Sequence, residues 1–179
     1  MVRVFIAIDM PEEVRGKMNE VQDRLRACAA KMTFVDPLNT HMTLKFIGEI
    51  NQGTLEEIRV AFRALNFDPF PVEISGVALN PRKRPRIVWA EGEDAGCGAR
   101  IQEKIDEMLS PFGIEKELRP FRPHVTLARI KKYDPSLKRS VNDVENVSFG
   151  SFTVEKILLK ESILTPEGPV YTIIDEVKG

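Results

Sequence analysis

The chain holds only two histidines in 179 residues, and both stand in one pattern, His-x-Thr-Leu: His41-Met42-Thr43-Leu44 and His124-Val125-Thr126-Leu127. With threonine at roughly one residue in twenty and leucine at roughly one in ten, two chance matches have odds on the order of one in tens of thousands. A lone histidine is more often structural than reactive; a matched pair reverses that expectation. Imidazole is the side chain whose ordinary pKa lies nearest neutrality, so one of a pair can serve as base while the other serves as acid. Threonine hydroxyls donate hydrogen bonds without adding charge. Two imidazoles and two hydroxyls around one phosphate suit in-line displacement at phosphorus. One histidine activates the nucleophile, the other protonates the leaving oxygen, and Thr43 and Thr126 stabilise the equatorial oxygens. Spacing alone leaves open which histidine is acid and which is base.

Strands must present these groups. In an extended segment side chains alternate, so His41 and Thr43 share one face while Met42 and Leu44 anchor the other. The same holds for His124 and Thr126 against Val125 and Leu127. Lys45 and Arg122 share the histidine parity and add positive charge to a cleft. Arg129 falls on the core parity, so a cleft role for it requires a bulge or the strand's end.

The surrounding pattern supplies such strands. Val2 to Ile8 is apolar on both faces and reads as a buried central strand. Pro11 opens a helix whose apolar stripe, Val14, Met18, Val21, Leu25 and Cys28, runs to about Ala29. Thr33 to Val35 reads as a short extended piece and His41 to Ile47 as a strand. Thr54, with Glu57, caps a second helix striped by Leu55, Ile58, Phe62 and Leu65. Pro71 to Leu79 follows as a strand. The proline-flanked basic run at 80–86 is an exposed connector. Beyond it come a strand at Ile87 to Ala90, a helix marked by Ile101, Ile105, Met108 and Phe112, and a strand at Pro123 to Ile130. Ser151 to Leu159 and Val170 to Val177 are the last strands. Gly96-Cys97-Gly98 reads as a helix start, since the rest of a dinucleotide fingerprint is missing. An offset of 83 maps Val4-Phe5-Ile6-Ala7 onto Ile87-Val88-Trp89-Ala90, Met18 and Leu25 onto Ile101 and Met108, and one His-x-Thr-Leu onto the other. The expected architecture is α+β: a single bilobal domain over 1–179, with lobes at about 1–79 and 86–179 linked by the basic loop 80–86. A pseudo-two-fold axis relates the lobes. Each is an antiparallel sheet covered by helices, and both His-x-Thr-Leu motifs lie in the central cleft.

Composition narrows the class. Lys+Arg number 26 against 27 Asp+Glu, a net charge of −1, so any anion site must be local rather than a global basic coat. Cys28 and Cys97 form no CxxC pair, which removes a zinc knuckle or redox motif and suggests reduced thiols. With only two histidines, no His-Glu-x-x-His and no aspartate cluster, a metal hydrolase lacks its ligands. No Walker-type glycine loop indicates ATP use. The apolar start is too short for a signal peptide and no run approaches the ~20 residues of a membrane span. A cytoplasmic protein without membrane attachment is expected, with no protein partner indicated.

The paired motif, the Pro123-His124-Val125-Thr126-Leu127-Ala128-Arg129 setting of its second copy, and the closing Leu164-Thr165-Pro166-Glu167-Gly168-Pro169-Val170-Tyr171 resemble the two-histidine phosphoesterase superfamily. Within it, the chain resembles the RNA 2′,3′-cyclic phosphodiesterases, also called 2′-5′ RNA ligases, over nearly its whole length. The resemblance implies hydrolysis of a terminal 2′,3′-cyclic phosphate to a 2′-phosphate without metal or cofactor. It makes His41 the proton donor to the leaving 3′ oxygen, His124 the proton acceptor from water, and Thr43 and Thr126 the phosphate-binding residues. It also implies the related joining of a cyclic phosphate end to a 5′ hydroxyl, with RNA, including tRNA fragments, as partner.

RNA contact is expected from Lys45, Arg122, Arg129 and Arg84 of the basic loop, although a solvated charge run is as common an explanation for the loop. Phe46 and Trp89 are candidates to stack a base, but such residues are more often core, and Trp89 is expected to be buried. Two rival functions remain: the same chemistry on a small cyclic nucleotide, favoured by a closed pocket, and a non-catalytic RNA-binding module, which would bind without turnover.

Overall fold

The structure is a computed structural model that describes residues 1–166 and 168–179; Glu167 of the closing motif lies outside the described residues. The elements in chain order are β1 (Val2–Asp9), α1 (Glu12–Leu25), β2 (Lys31–Phe34), β3 (His41–Ile50), α2 (Gln52–Arg63), β4 (Phe70–Asn80), β5 (Ile87–Glu93), α3 (Cys97–Leu109), β6 (His124–Lys132), α4 (Ser136–Asn142), β7 (Ser148–Val154), β8 (Lys156–Thr165) and β9 (Gly168–Lys178). They form two antiparallel sheets, one of four strands in the order β3-β1-β8-β9 and one of five in the order β2-β6-β5-β4-β7. The α+β class and the pairing of sheets with helices agree with the sequence expectation.

The pseudo-symmetric cores are β3-β1-β8 and β6-β5-β4. Neither sheet is built from one half of the chain: β8 crosses to pair with β1, and β4 pairs with β5. The 80–86 segment therefore turns a hairpin between two strands of one sheet rather than joining two lobes at 79 and 86. Helices cross as well. α1 packs on β6 and β7, and α3 packs on β3. One hydrophobic cluster runs through both halves, from Val4, Ile6 and Ile8 to Leu44, Ile58, Val72, Leu127 and Leu137. Each of these buried aliphatic side chains contributes about 1.5–3 kcal/mol on leaving water.

Several sequence expectations are corrected. The first helix ends at Leu25, not near Ala29. Helix α2 starts earlier than a Thr54 cap implies, because the Asn51 side chain accepts from Thr54 N at 2.9 Å. Ser151 to Leu159 is two strands rather than one, broken at Glu155, and its parts lie in different sheets. Helix α4 is an addition; Leu137 and Val141, four apart, bury its face. Among the described residues no helix is long and apolar enough to cross a membrane, and both thiols are free.

The offset between the halves also changes along the chain. Across from the histidine strands, Ile6 pairs with Lys45 and Ala7 with Thr43, while Val88 pairs with Ala128 and Trp89 with Thr126. Ile6 thus corresponds to Val88, an offset of 82, although the histidine strands keep 83. Leu44 and Leu127 are passed over in the register, so both strands bulge at the same place. Since one residue of slip turns every side chain to the other face, Val88 and Ala90 are core, and Trp89 turns to the cleft, half-buried rather than buried.

Candidate active site

Each histidine opens its strand and is held by the backbone two residues earlier. His41 Nδ1 lies 2.7 Å from the Asn39 carbonyl, and His124 Nδ1 lies 2.8 Å from the Arg122 carbonyl. A carbonyl only accepts, so Nδ1 carries the proton and donates in both, leaving Nε2 as the nitrogen that exchanges protons. For His41 the carbonyl is presented by a short 3-10 turn at Pro37–Asn39, in which the Asp36 side chain accepts from Leu38 N at 2.8 Å and Thr40 Oγ1 donates to Pro37 O at 2.7 Å.

Thr43 and Thr126 follow on the histidine faces, half-buried. The hollow holding His41 has a volume of about 340 Å³ and the one holding His124 about 590 Å³; the two share Thr43 and Phe46 as walls. The two histidines are therefore brought to adjoining hollows, with Thr43 a wall of both and Thr126 a wall of neither.

Beyond the bulges the parity reverses, with opposite consequences for two expected cations. Lys45 still borders the His124 hollow, but its side chain is 5% exposed, ion-paired to Asp106 of α3, and donates to the Glu115 carbonyl at 2.6 Å. Its ammonium is thus paired with protein groups at the edge of the hollow rather than presented free on the histidine face. Arg129 moves the other way, into the wall of the His41 hollow. Phe46, at the equivalent place in β3, is 52% exposed with the Arg3 guanidinium 5.0 Å from its ring centre. Arg122 lines the His124 hollow. Arg84 stands exposed at the hairpin tip, whose flanking residues Asn80 and Ile87 line that same hollow.

Sequence reasoning missed the groups that distinguish the two histidines. His41 sits among Phe5 and Tyr171, at ring-centre distances of 5.0 and 5.2 Å. Lys160, 4% exposed, is ion-paired to Asp9 at 2.6 Å beside it. His124 rests on Trp89, at 4.4 Å and 46°. Strand pairing across three segments brings Phe5, Lys160 and Tyr171 to His41, and no local motif announces that; only Tyr171 fell within the closing motif.

Burial lowers the His41 pKa below its ordinary value; the Asn39 carbonyl opposes this, Lys160 adds to it, Asp9 opposes and Arg129 adds. Burial also lowers the His124 pKa, opposed by the Arg122 carbonyl. Burial raises the Tyr171 phenol, which keeps its proton at neutral pH. Both imidazoles thus bind protons less readily when folded than when unfolded. Their contribution to stability is complete above the ordinary value of 6.5 and is lost as pH falls from there through the folded values. The denaturation midpoint is expected to drop on going from pH 7.5 to pH 5, and less so in a protein lacking both imidazoles; equal slopes in the two proteins would contradict the assignment.

Among the described residues no group of three or more His, Cys, Asp or Glu is placed to hold a metal ion. The arrangement offers two fixed imidazoles, neutral hydroxyl donors, four arginines (Arg3, Arg119, Arg122 and Arg129) and the aromatic faces of Phe46 and Trp89. Such a set can pass protons on either side of a phosphate.

A family model described as LigT like Phosphoesterase matches residues 8–89 and 98–171. The chain is 37% identical over 168 residues to an RNA 2′,3′-cyclic phosphodiesterase of Aeropyrum pernix, covering 92% of this chain and 96% of the relative. It is 35% identical over 176 residues to a protein of the same name from Methanothermobacter thermautotrophicus, covering 96% and 95%. Among solved structures, one from Thermus thermophilus superposes with a TM-score of 0.84 at 31% identity over 98% of this chain and 97% of that one. The Escherichia coli LigT structure complexed with 3′-AMP shares the fold with a TM-score of 0.79, at 21% identity over 99% and 97%.

Proposed function

Because the chain belongs to the LigT-like phosphoesterase family and is a phosphodiesterase enzyme, we propose that it hydrolyses RNA 2′,3′-cyclic phosphate ends to 2′-phosphates by acid–base catalysis with His41 and His124. The observation that carries this reading is the matched anchoring of the two imidazoles, each Nδ1 held by a carbonyl and each histidine in one of two adjoining hollows.

The steps follow from the groups. His124 Nε2 takes a proton from water as its oxygen forms a bond to phosphorus. The bond from phosphorus to the 3′ oxygen breaks, and protonated His41 gives its Nε2 proton to that oxygen. Thr43 and Thr126 donate to the equatorial oxygens, and Arg129 and Arg122 offset their charge. Phe46 and Trp89 offer faces on which bases stack, each worth about 1–3 kcal/mol. Neither step uses a metal. The related joining of a cyclic phosphate to a 5′ hydroxyl belongs to the same proposal, as do tRNA fragments among the substrates and a cytoplasmic location.

RNA is favoured over a small cyclic nucleotide because the basic tip Arg82-Lys83-Arg84 rises from the rim of the His124 hollow. Neutralising these residues to alanine is expected to raise KM for a cyclic-phosphate oligonucleotide and to flatten its salt dependence by about two units of log–log slope. KM for the corresponding cyclic mononucleotide should stay put. Equal losses on both substrates, or none, would favour the small-nucleotide reading. Turnover is expected to survive a chelator.

A further inference from the structure

The two bulges that reverse parity after Thr43 and Thr126 leave a buried residue out of the ladder in each histidine strand: Leu44 is 1% exposed and Leu127 fully buried. A bulged residue disrupts the local pairing, and a buried carbonyl there needs another donor. At Leu44 a glutamine supplies it, and at Leu127, whose carbonyl already accepts from Val35 N at 2.9 Å, a glutamine adds a second donor. Gln102 Nε2 on α3 donates to the Leu44 carbonyl at 2.8 Å. Gln22 Nε2 on α1 donates to the Leu127 carbonyl at 2.9 Å and to the Val35 carbonyl at 2.7 Å. The chain has only three glutamines, and these are two of them.

The pattern is reciprocal. Gln22 belongs to the first half and holds the histidine strand of the second; Gln102 belongs to the second half and holds that of the first. Each lies on a helix packed against the strand it grips. Gln22 is fully buried, and its Oε1 has no partner among the described residues. An amide that leaves its oxygen unpaired while its nitrogen bridges two carbonyls is oriented by its donors. We propose that Gln22 and Gln102 are positioning residues that fix the two bulges, and through them the direction of Arg129 and Phe46 into the cleft. The functional half of this proposal rests on the cleft being the substrate site. The bracing half does not.

The bulge is what sends Phe46 and Arg129 cleftward, because without it the alternation would turn them to the core face. Gln102 also lines the His124 hollow; loss of its donor should act on substrate binding through Phe46, and the double variant with Phe46→Ala separates that route from a direct contact. Loss of the donor on Gln22 should act through Arg129.

The test uses Gln102→Met, which keeps the length and removes the donor, with Gln102→Lys, which restores a donor, and Phe46→Ala. KM for a cyclic-phosphate oligonucleotide is expected to rise about tenfold in Gln102→Met, with kcat changed much less, and to recover in Gln102→Lys. Combined with Phe46→Ala, the Gln102→Met effect on KM should largely vanish, because one residue acts through the other. Additive effects, or a loss of kcat and KM together with the melting temperature, would overturn the positioning role. Amide spectra of the same variants read the brace without activity. Shifts concentrated at Leu44–Ile47 and the facing Ile6–Ala7 are expected, and an unchanged segment there would overturn the brace. If wild-type protein turns over no cyclic phosphate while those shifts appear, the proposed function fails and the brace stands. Gln22→Met should give the matching result at Leu127–Ile130 and couple to Arg129→Ala; coupling of Gln22 to Phe46 instead would contradict the crossed arrangement.

Discussion

His41→Ala and His124→Ala should each lower turnover of an oligonucleotide ending in a 2′,3′-cyclic phosphate by roughly 10²–10⁴-fold, with the fold intact. The fold should survive because both rings are only half-buried and are tied to a carbonyl two residues away rather than to a distant core partner. The double variant should lose little more than the worse single one, since acid and base act as a unit. The pH profile separates their roles. In kcat/KM of the wild-type enzyme, the optimum should lie on the acid side of 6.5, because burial lowers both imidazoles. His124→Ala should remove the rise with pH that comes from deprotonating the base. His41→Ala should remove the fall that comes from losing the acid. Full activity in either variant would end the two-histidine mechanism.

The second large effect is on stability. Lys45 and Asp106 form an ion pair with side chains 5% and 3% exposed. Lys45→Met leaves the Asp106 carboxylate buried without its cation, which is expected to cost about 3–5 kcal/mol. For a chain of this length that corresponds to a fall in Tm of roughly 6–20 °C. Adding Asp106→Leu should restore most of the loss, because an apolar pair of similar volume needs no compensation. Thermal unfolding of the three proteins checks this. A single variant as stable as wild type would mean that Lys45 reaches solvent instead, as the alternation pattern implies. The pair also bears on the site, since Lys45 follows the bulge at Leu44 and anchors β3 to α3 just where Gln102 holds its carbonyl.

Sequence alone shows the reactive pair because its signal is local: two scarce residues, each with a threonine two positions on, in apolar strands. Helices α1 and α3 are legible for the same reason, from stripes such as Val14, Met18, Val21 and Leu25. The bulges are not, because Thr-Leu-Lys-Phe contains no residue that demands one. A trace exists in the spacing of buried positions, Met42, Leu44, Ile47 and Ile50, which breaks alternation after Leu44. Phe46 hides it by being apolar where it is exposed. That ambiguity puts Lys45 on the cleft parity, and the equally unmarked bulge at Leu127 makes Arg129 a core-parity residue.

The exchange of β4 and β8 between sheets is illegible for a different reason. The pairing of β8 with β1 is long-range, and the +83 repeat is equally compatible with contiguous lobes in which 80–86 is a linker rather than the hairpin that joins β4 to β5. The surroundings of His41 share this origin. Phe5, Lys160 and Tyr171 come from three strands, and only their register brings them together. The break at Glu155 is hidden because β7 and β8 are separated by that one residue, with no proline or glycine to mark a turn.

The central claim is that the cleft opens a 2′,3′-cyclic phosphate by water attack assisted by His124, with proton return from His41 to the 3′ oxygen. The most direct measurement is incubation of wild-type protein with an oligonucleotide ending in that cyclic phosphate, followed by phosphorus NMR identification of the terminal group. A 2′-phosphate as the sole product is the expected result; a 3′-phosphate, or an unopened ring, would contradict it.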